Sequence, residues 1–308
     1  MVNKQTFYSN GKLLITGEYL VLNGAKALAL PTKFGQTLVV SSIVEKKIIW
    51  TSFDTDKSIW FETELTFEDI ILQRDFEEEN SIKHTLVEIL HQANLQNPDF
   101  LTSETGYKII TELTFPRNWG LGTSSTLINN IAQWLQIDTF ELLRKSFGGS
   151  GYDIACAQHN SAITYQLDAE EKPIVEVVEF CPNYTDNIYF VYLNQKQNSR
   201  RAIQNFMNKQ QFLEKNTQKI SEITNRIIQS ISLKNTTDLL EHHEIILSDI
   251  LEMETVKERL FHDFKGTIKS LGAWGGDFVM VLSEENPKQY FQSKGYETIL
   301  SYEEMILK

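Results

Sequence analysis

Four stretches hold the residues best suited to do chemistry. Phe115 to Thr126 reads FPRNWGLGTSST, with Gly120, Leu121 and Gly122 followed by Thr123, Ser124 and Ser125. Leu127, Ile128, Ile131, Ala132 and Leu135 then fall on one helical face, so the glycines feed a helix start. Backbone N–H groups at a helix start are unpaired and carry partial positive charge, and glycine lets an anion approach them closely. The same residues also suit a plain glycine turn in which Thr123 or Ser124 caps the helix. A Walker A loop is excluded, because Gly-x-x-x-x-Gly-Lys-Ser/Thr does not occur here.

The other three stretches bear on that choice. SNGKLLITGEYLVLNGAKALALP places Lys12 at a strand start and Glu18 in the loop after it. GGSGYDIACA places Asp153 just after two glycine-bearing turns, and KSLGAWGGDF adds a third glycine-rich loop with Gly275 and Gly276. Glycine-rich loops with one lysine and one aspartate are the components of phosphoryl transfer, which works by positioning and charge neutralisation. Read singly, Asp153 also suits a helix N-cap, and Lys12 a strand-end lysine laying its stem on apolar surface.

The elements that must position these residues are mixed. Strand character marks Lys12–Thr16, Thr37–Val44, Lys47–Thr51, Ser58–Phe61, Tyr107–Leu113, Ala162–Leu167, Ile174–Phe180 and Ile188–Leu193. Helical spacing marks Ser81–Leu95, the segment after Ser125, Thr139–Ser146 and a long stretch across 199–262. The ending is β-rich, around Gly266–Ser270 and Phe278–Leu282. The turn residues of Cys181–Asn187 mark a domain boundary, giving domains 1–183 and 184–308. This order predicts an α+β fold of two layered domains rather than a parallel βαβ array.

Composition narrows the function class. A net charge of −12 argues against a nucleic-acid partner, which requires a basic face. The acidic run Asp75–Glu79 reads as a solvated segment. Cys156 and Cys181 make no disulfide framework and suit a reducing cytoplasm. The N-terminal stretch lacks a signal-peptide pattern, and no apolar run approaches the roughly 20 residues of a membrane span. A cytoplasmic protein with no membrane partner is therefore expected. His242 and His243 are adjacent on a helix and cannot share a face, which argues against a metal pair, and His159 reads as solvated or capping.

In their order, these stretches resemble the three motifs of the GHMP-superfamily kinases, which include galactokinase, homoserine kinase, mevalonate kinase and phosphomevalonate kinase. Gly11 to Tyr19 resembles motif one, Pro116 to Ser125 motif two and Gly272 to Asp277 motif three, so the resemblance spans nearly the whole chain. Glu18-Tyr19-Leu20-Val21-Leu22, Gly149 to Asp153, and Lys269 with Gly275-Gly276-Asp277 are most similar to the mevalonate and phosphomevalonate branch. The Arg-Gly-Glu-His element of galactokinases is missing.

The resemblance implies a two-domain GHMP kinase fold, with an N-terminal half like ribosomal protein S5 domain 2 and a ferredoxin-like C-terminal half. It implies ATP and Mg²⁺ as cofactors and a small acidic substrate, and it leaves a homodimer open. Gly120, Leu121, Gly122, Thr123, Ser124 and Ser125, with Gly275 and Gly276, match the ATP-binding residues, and Ser124 matches the serine that meets Mg²⁺. Asp153 and Lys12 match the catalytic pair. Glu18, Tyr19, Ser199, Arg200 and Arg201 are substrate candidates, the arginines suiting an acidic group and equally a solvated surface. The implied activity is phosphorylation of mevalonate or phosphomevalonate, leaning to phosphomevalonate. A diphosphomevalonate decarboxylase and a non-catalytic nucleotide or metabolite binder are the alternatives.

The chain also departs from the family pattern. Trp274 stands where motif three usually has glycine, and Leu271 where it has a small polar residue, which narrows that side of the pocket. Thr123-Ser124-Ser125 replaces Ser-Ser-Ala, and the spacing from Ser124 to Asp153 is short. The position matching the Mg²⁺-binding glutamate of mevalonate kinases falls at or near Leu142, beside Glu141.

Overall fold

The computed structural model describes residues 4–74, 81–195, 206 and 213–307. The chain divides into two compact units whose segments alternate along the sequence. Unit 1 comprises Met1–Gly11, Phe34–Arg117 and Leu121–Gln158, and unit 2 comprises Lys12–Lys33, Asn118–Gly120 and His159–Lys308. Strands β1 (Lys4–Thr16) and β2 (Ala27–Ile43) each pass from one unit to the other.

In unit 1, β2 is followed by β3 (Lys47–Phe53), β4 (Ile59–Thr66), helices α1 (Phe67–Ile71) and α2 (Ile82–Gln96), and β5 (Gly106–Leu113). The sheet runs β4-β3-β5-β2. β3 and β5 are parallel, so the chain needs a crossover between them, and α1 and α2 lie in that connection. Burial alternates along β3, placing Ile48 and Trp50 inward, where they pack with Leu38, Ile109, Leu86 and Leu90. Three helices complete the unit: α3 (Thr123–Leu135), α4 (Thr139–Ser146) and α5 (Tyr152–Ala157). Ile128, Ile131 and Leu135 of α3 enter the same core, as their spacing predicts.

In unit 2, the first residues of β2 pair with β6 (Ile163–Leu167), which forms a hairpin with β7 (Pro173–Val177). A second, antiparallel sheet combines β8 (Ile188–Tyr192), β9 (Thr267–Ser270), β10 (Phe278–Leu282) and β11 (Ile299–Ser301) in the order β11-β8-β10-β9. Numbered by their succession, these strands lie 4-1-3-2, the split βαβ arrangement of ferredoxin-like folds.

Helices α6 (Leu213–Ile228), α7 (Leu233–Leu251) and α8 (Val256–Leu260) connect β8 to β9. α9 (Lys288–Ser293) precedes β11 and α10 (Tyr302–Met305) follows it. The single helical stretch expected across 199–262 is therefore segmented in its described part. Ser232 caps α7 by accepting from Asn235 N–H, and Glu252 ends it in a left-handed conformation at φ 55°.

Candidate active site

In unit 1 the glycine motif forms the N-terminus of α3. Gly122 is the N-cap residue, left-handed at φ 100°, and no side chain caps the helix. The alternative in which Thr123 or Ser124 acts as cap is thus not what forms: both lie inside the first turn. Ser125 Oγ donates to the Gly122 carbonyl at 3.0 Å, and Thr126 Oγ1 shares its one hydrogen between the same oxygen at 2.9 Å and Gln36 Oε1 at 2.8 Å. Among the described residues Ser124 makes no such side-chain bond, and it is half-buried. Leu121 is fully buried and anchors the loop.

A buried polar set fixes α3 against the strands. Asn129 Nδ2 donates to Ser9 Oγ at 2.8 Å, Ser9 Oγ donates to Asn130 Oδ1 at 2.7 Å, and Asn130 Nδ2 donates to the Gln36 carbonyl at 2.9 Å. Buried polar groups cost free energy unless paired, so this network selects one placement of the helix and of the N–H groups at its start.

α5 repeats the arrangement. Gly151, left-handed at φ 90°, is its N-cap, again without a side-chain cap, and Asp153 is the second helical residue rather than the cap. Its Oδ1 accepts from Ile154 N–H at 3.0 Å, and a carboxylate in a first turn is favoured by the helix dipole. By contrast α1, α2, α4, α7, α8 and α10 all carry Ser, Thr or Asp caps. Both motif helices instead start at a left-handed glycine with no side-chain cap, and α9, which starts after Pro287, also lacks one.

In unit 2, Lys12 lies well inside β1, which begins at Lys4 rather than beside Lys12. Its Nζ donates to the Gly120 carbonyl at 3.1 Å. Asn118 and Trp119, which lead into Gly120, are pinned to the second sheet. Tyr192 Oη donates to the Asn118 carbonyl at 3.1 Å, and Trp119 stacks edge-on against Phe278 at 5.4 Å. Gly120 is left-handed at φ 70°, and a Cβ there would lie 2.3 Å from the Asp277 carboxyl. Glycine is thus required twice over at this position. Gly275 and Gly276 are buried, and the Gly275 carbonyl accepts from Gln195 Nε2 and from Arg259 Nη2.

The segment after β1 is held internally. Glu18 is 1% exposed and Tyr19 8%. Glu18 Oε1 meets Lys269 Nζ at 2.5 Å, and Lys269 also faces Glu244 Oε1 at 3.2 Å. Gly17 N–H donates to His243 Nε2 at 3.1 Å, so that nitrogen carries no proton. Burial pushes Glu18 up to about 7 despite the pull of Lys269, and burial likewise raises Glu244. Burial lowers Lys269, but the two carboxylates more than reverse that and raise it. Burial, then Lys269, hold His243 well below the usual imidazole range.

Trp274 is also buried, and its backbone N–H donates to Tyr19 Oη at 3.2 Å. Ser199, Arg200 and Arg201 lie outside the described residues. Glu244 is the ionisable group that sequence reasoning missed, and His243 enters that reasoning only as half of a disfavoured metal pair. Thr236, Leu239, Leu240, His243, Glu244, Leu247 and Leu251 share the buried face of α7, and that period was the available signal.

No protein-family model and no curated protein matches the chain. Solved structures do. The Methanococcus jannaschii mevalonate kinase superposes with a TM-score of 0.71 at 15% identity, covering 99% of each chain. The Streptococcus pneumoniae phosphomevalonate kinase bound to phosphomevalonate and AMPPNP gives 0.73 at 15% identity, over 96% of this chain and 99% of that one. The chain has the GHMP kinase fold. The Lactococcus lactis galactokinase complexed with galactose shares that fold too, with a TM-score of 0.66 at 14% identity over 99% of this chain and 94% of that one. A GHMP kinase fold thus accompanies different acceptors in these structures, so the acceptor must be argued from this chain's own residues.

Proposed function

We propose that the chain is an ATP-dependent small-molecule kinase that phosphorylates a small acidic acceptor of the mevalonate pathway, mevalonate or phosphomevalonate, with phosphomevalonate favoured by the wording of its motifs. The observation that carries this reading is the N-terminus of α3. Its left-handed glycine and absent side-chain cap leave first-turn N–H groups for a polyphosphate. The pneumococcal structure with phosphomevalonate and AMPPNP shares the fold and supports a nucleoside triphosphate as one substrate.

In this reading Gly120 to Ser125, with Gly275 and Gly276, bind the nucleotide. No group of three or more His, Cys, Asp or Glu among the described residues could hold a metal by itself. Mg²⁺ fits as an ion carried by the nucleotide and met by the Ser124 hydroxyl, where it would neutralise phosphate charge. An oxygen of the acceptor attacks the γ-phosphorus, the bond to the β,γ-bridging oxygen breaks and ADP leaves; a phosphate oxygen of phosphomevalonate attacks already ionised, whereas the hydroxyl of mevalonate gives its proton to Asp153. Such a base contributes about 10²–10⁴-fold. Lys12 offsets the charge that accumulates on the transferring group. Arg200 and Arg201, with Ser199, recognise the acceptor's acidic groups.

The test is ADP release measured with mevalonate, phosphomevalonate, homoserine and galactose. Turnover with a mevalonate-pathway acid supports the proposal. Turnover with galactose or homoserine alone moves the acceptor, and ATP binding without turnover on any of them replaces the kinase reading with the non-catalytic one.

A further inference from the structure

Gly17, Glu18 and Tyr19 leave β1 in a turn that three other parts of unit 2 hold at consecutive residues. Gly17 N–H is held by His243 of α7, the Glu18 carboxyl by Lys269 of β9, and Tyr19 Oη by the backbone of Trp274. Gly17 itself is left-handed at φ 90°, and a Cβ there would lie 2.7 Å from that of Ala27, so the turn cannot shift by accepting another residue.

The charges do not balance as usually ionised. Two carboxylates face one ammonium and one neutral imidazole, and the side chains of Glu18, Lys269 and His243 are 0% exposed and that of Glu244 4%. A net buried charge of this kind is expensive, and keeping one proton removes it. The hydrogen bonds locate that proton. Glu244 Oε2 accepts from Ser270 Oγ at 3.0 Å, and its Oε1, which makes no aligned hydrogen bond, still lies 3.2 Å from Lys269 Nζ. Glu18 Oε1 also faces Lys269, whereas Glu18 Oε2 has no donor and lies 3.4 Å from His243 Nε2. The one lone pair of that nitrogen is taken by the Gly17 N–H, so His243 gives Oε2 no donor, and an ionised Oε2 would be buried without a hydrogen bond.

We propose that Glu18 is held as a neutral carboxylic acid, protonated on Oε2, and that Lys269, Glu244 and His243 are positioning residues that lock the Gly17–Tyr19 turn around it. The upward displacement of Glu18 by burial runs in the direction this geometry requires. Lys269 of β9 and Glu244 of α7 are the charged groups acting on it. Nearby, His242 and Glu241 of α7 lie at the surface, where Glu241 accepts from Thr267 Oγ1 and pairs with Lys257 of α8 at 3.6 Å. Deprotonation would leave an uncompensated charge beside the turn and loosen it. The lock is read within unit 2 and stands whichever acceptor, or none, the chain phosphorylates.

The experiment is carboxyl ¹³C NMR of the full chain labelled at glutamate Cδ, with backbone amide spectra, from about pH 4.5 to 9. One glutamate is expected to titrate in the neutral range, to be absent from Glu18→Gln, and to move downward in Glu244→Gln, which removes a like charge. The Gly17 amide should shift with the same midpoint, a response that a merely structural contact would not give. Wild type alone decides the proton: if every glutamate titrates below about pH 5.5, the proposal is overturned. A neutral-range resonance that survives in Glu18→Gln overturns the placement on Glu18, and a Gly17 amide indifferent to pH overturns the lock.

Discussion

Lys269→Met tests the buried cluster in a way that depends on pH. Lys269 has two carboxylate partners, Glu18 at 2.5 Å and Glu244 at 3.2 Å, and also donates to the Ser270 carbonyl. Removing one partner of a buried ion pair costs about 3–5 kcal/mol because the other charge is left uncompensated, and with two carboxylates stranded the upper end applies above neutrality. Below about pH 5 both carboxylates can take a proton, and the loss shrinks to a hydrogen bond or two, about 1–2 kcal/mol.

The sign follows from linkage. Glu18 is raised in the folded state, so its contribution is fully present below its unfolded value and is lost as pH rises toward about 7. Without Lys269 both carboxylates rise further, the window of loss extends upward, and the gap between wild type and variant widens with pH. Lys269 is itself raised, so its contribution persists below the ordinary lysine range and is lost only above it. Urea unfolding at about pH 5 and pH 8, followed by circular dichroism, reads the gap directly. A deficit of equal size at both pH values would refute the charge account and leave only lost packing.

Gly120→Ala should destabilise by about 2–4 kcal/mol, combining a left-handed alanine with a forced contact on Asp277. In an Asp277→Gly background the contact part should vanish, and strictly additive losses in a double-mutant cycle would contradict that. Ser124→Ala should leave stability within about 0.5 kcal/mol of wild type, since its hydroxyl holds nothing in the fold, while raising the KM for Mg²⁺-ATP. Unchanged kinetics over a range of Mg²⁺ would remove its metal role.

Local pattern carried much of the fold. α4 and β10 have the bounds their residues predict, and α3 buries the face its spacing marks. The misses share physical causes. The first half of β1, KQTFYSNG, has little apolar alternation and is mostly exposed up to Tyr8, so nothing periodic marks it as strand. β11 has three residues and α5 six, too few for a period to emerge.

At the site, the uncapped starts of α3 and α5 follow from left-handed glycines that the motifs already display. The partner of Glu18 does not. Lys269 lies 251 residues away and is matched by tertiary packing alone, and Glu244 and His243 sit on a helix face where an apolar pattern would be assumed.

The most direct test of the central claim follows the phosphoryl group itself. The protein is incubated with ATP carrying ¹⁸O in its γ-phosphoryl group and with each mevalonate-pathway acid, and the acceptor is weighed by mass spectrometry. Wild type should return an acceptor heavier by one labelled phosphoryl group. With mevalonate, Asp153→Asn should do so about 10²–10⁴-fold more slowly while still binding nucleotide. ADP formed with no label on any acceptor, or an Asp153→Asn variant as fast as wild type on mevalonate, would contradict the account.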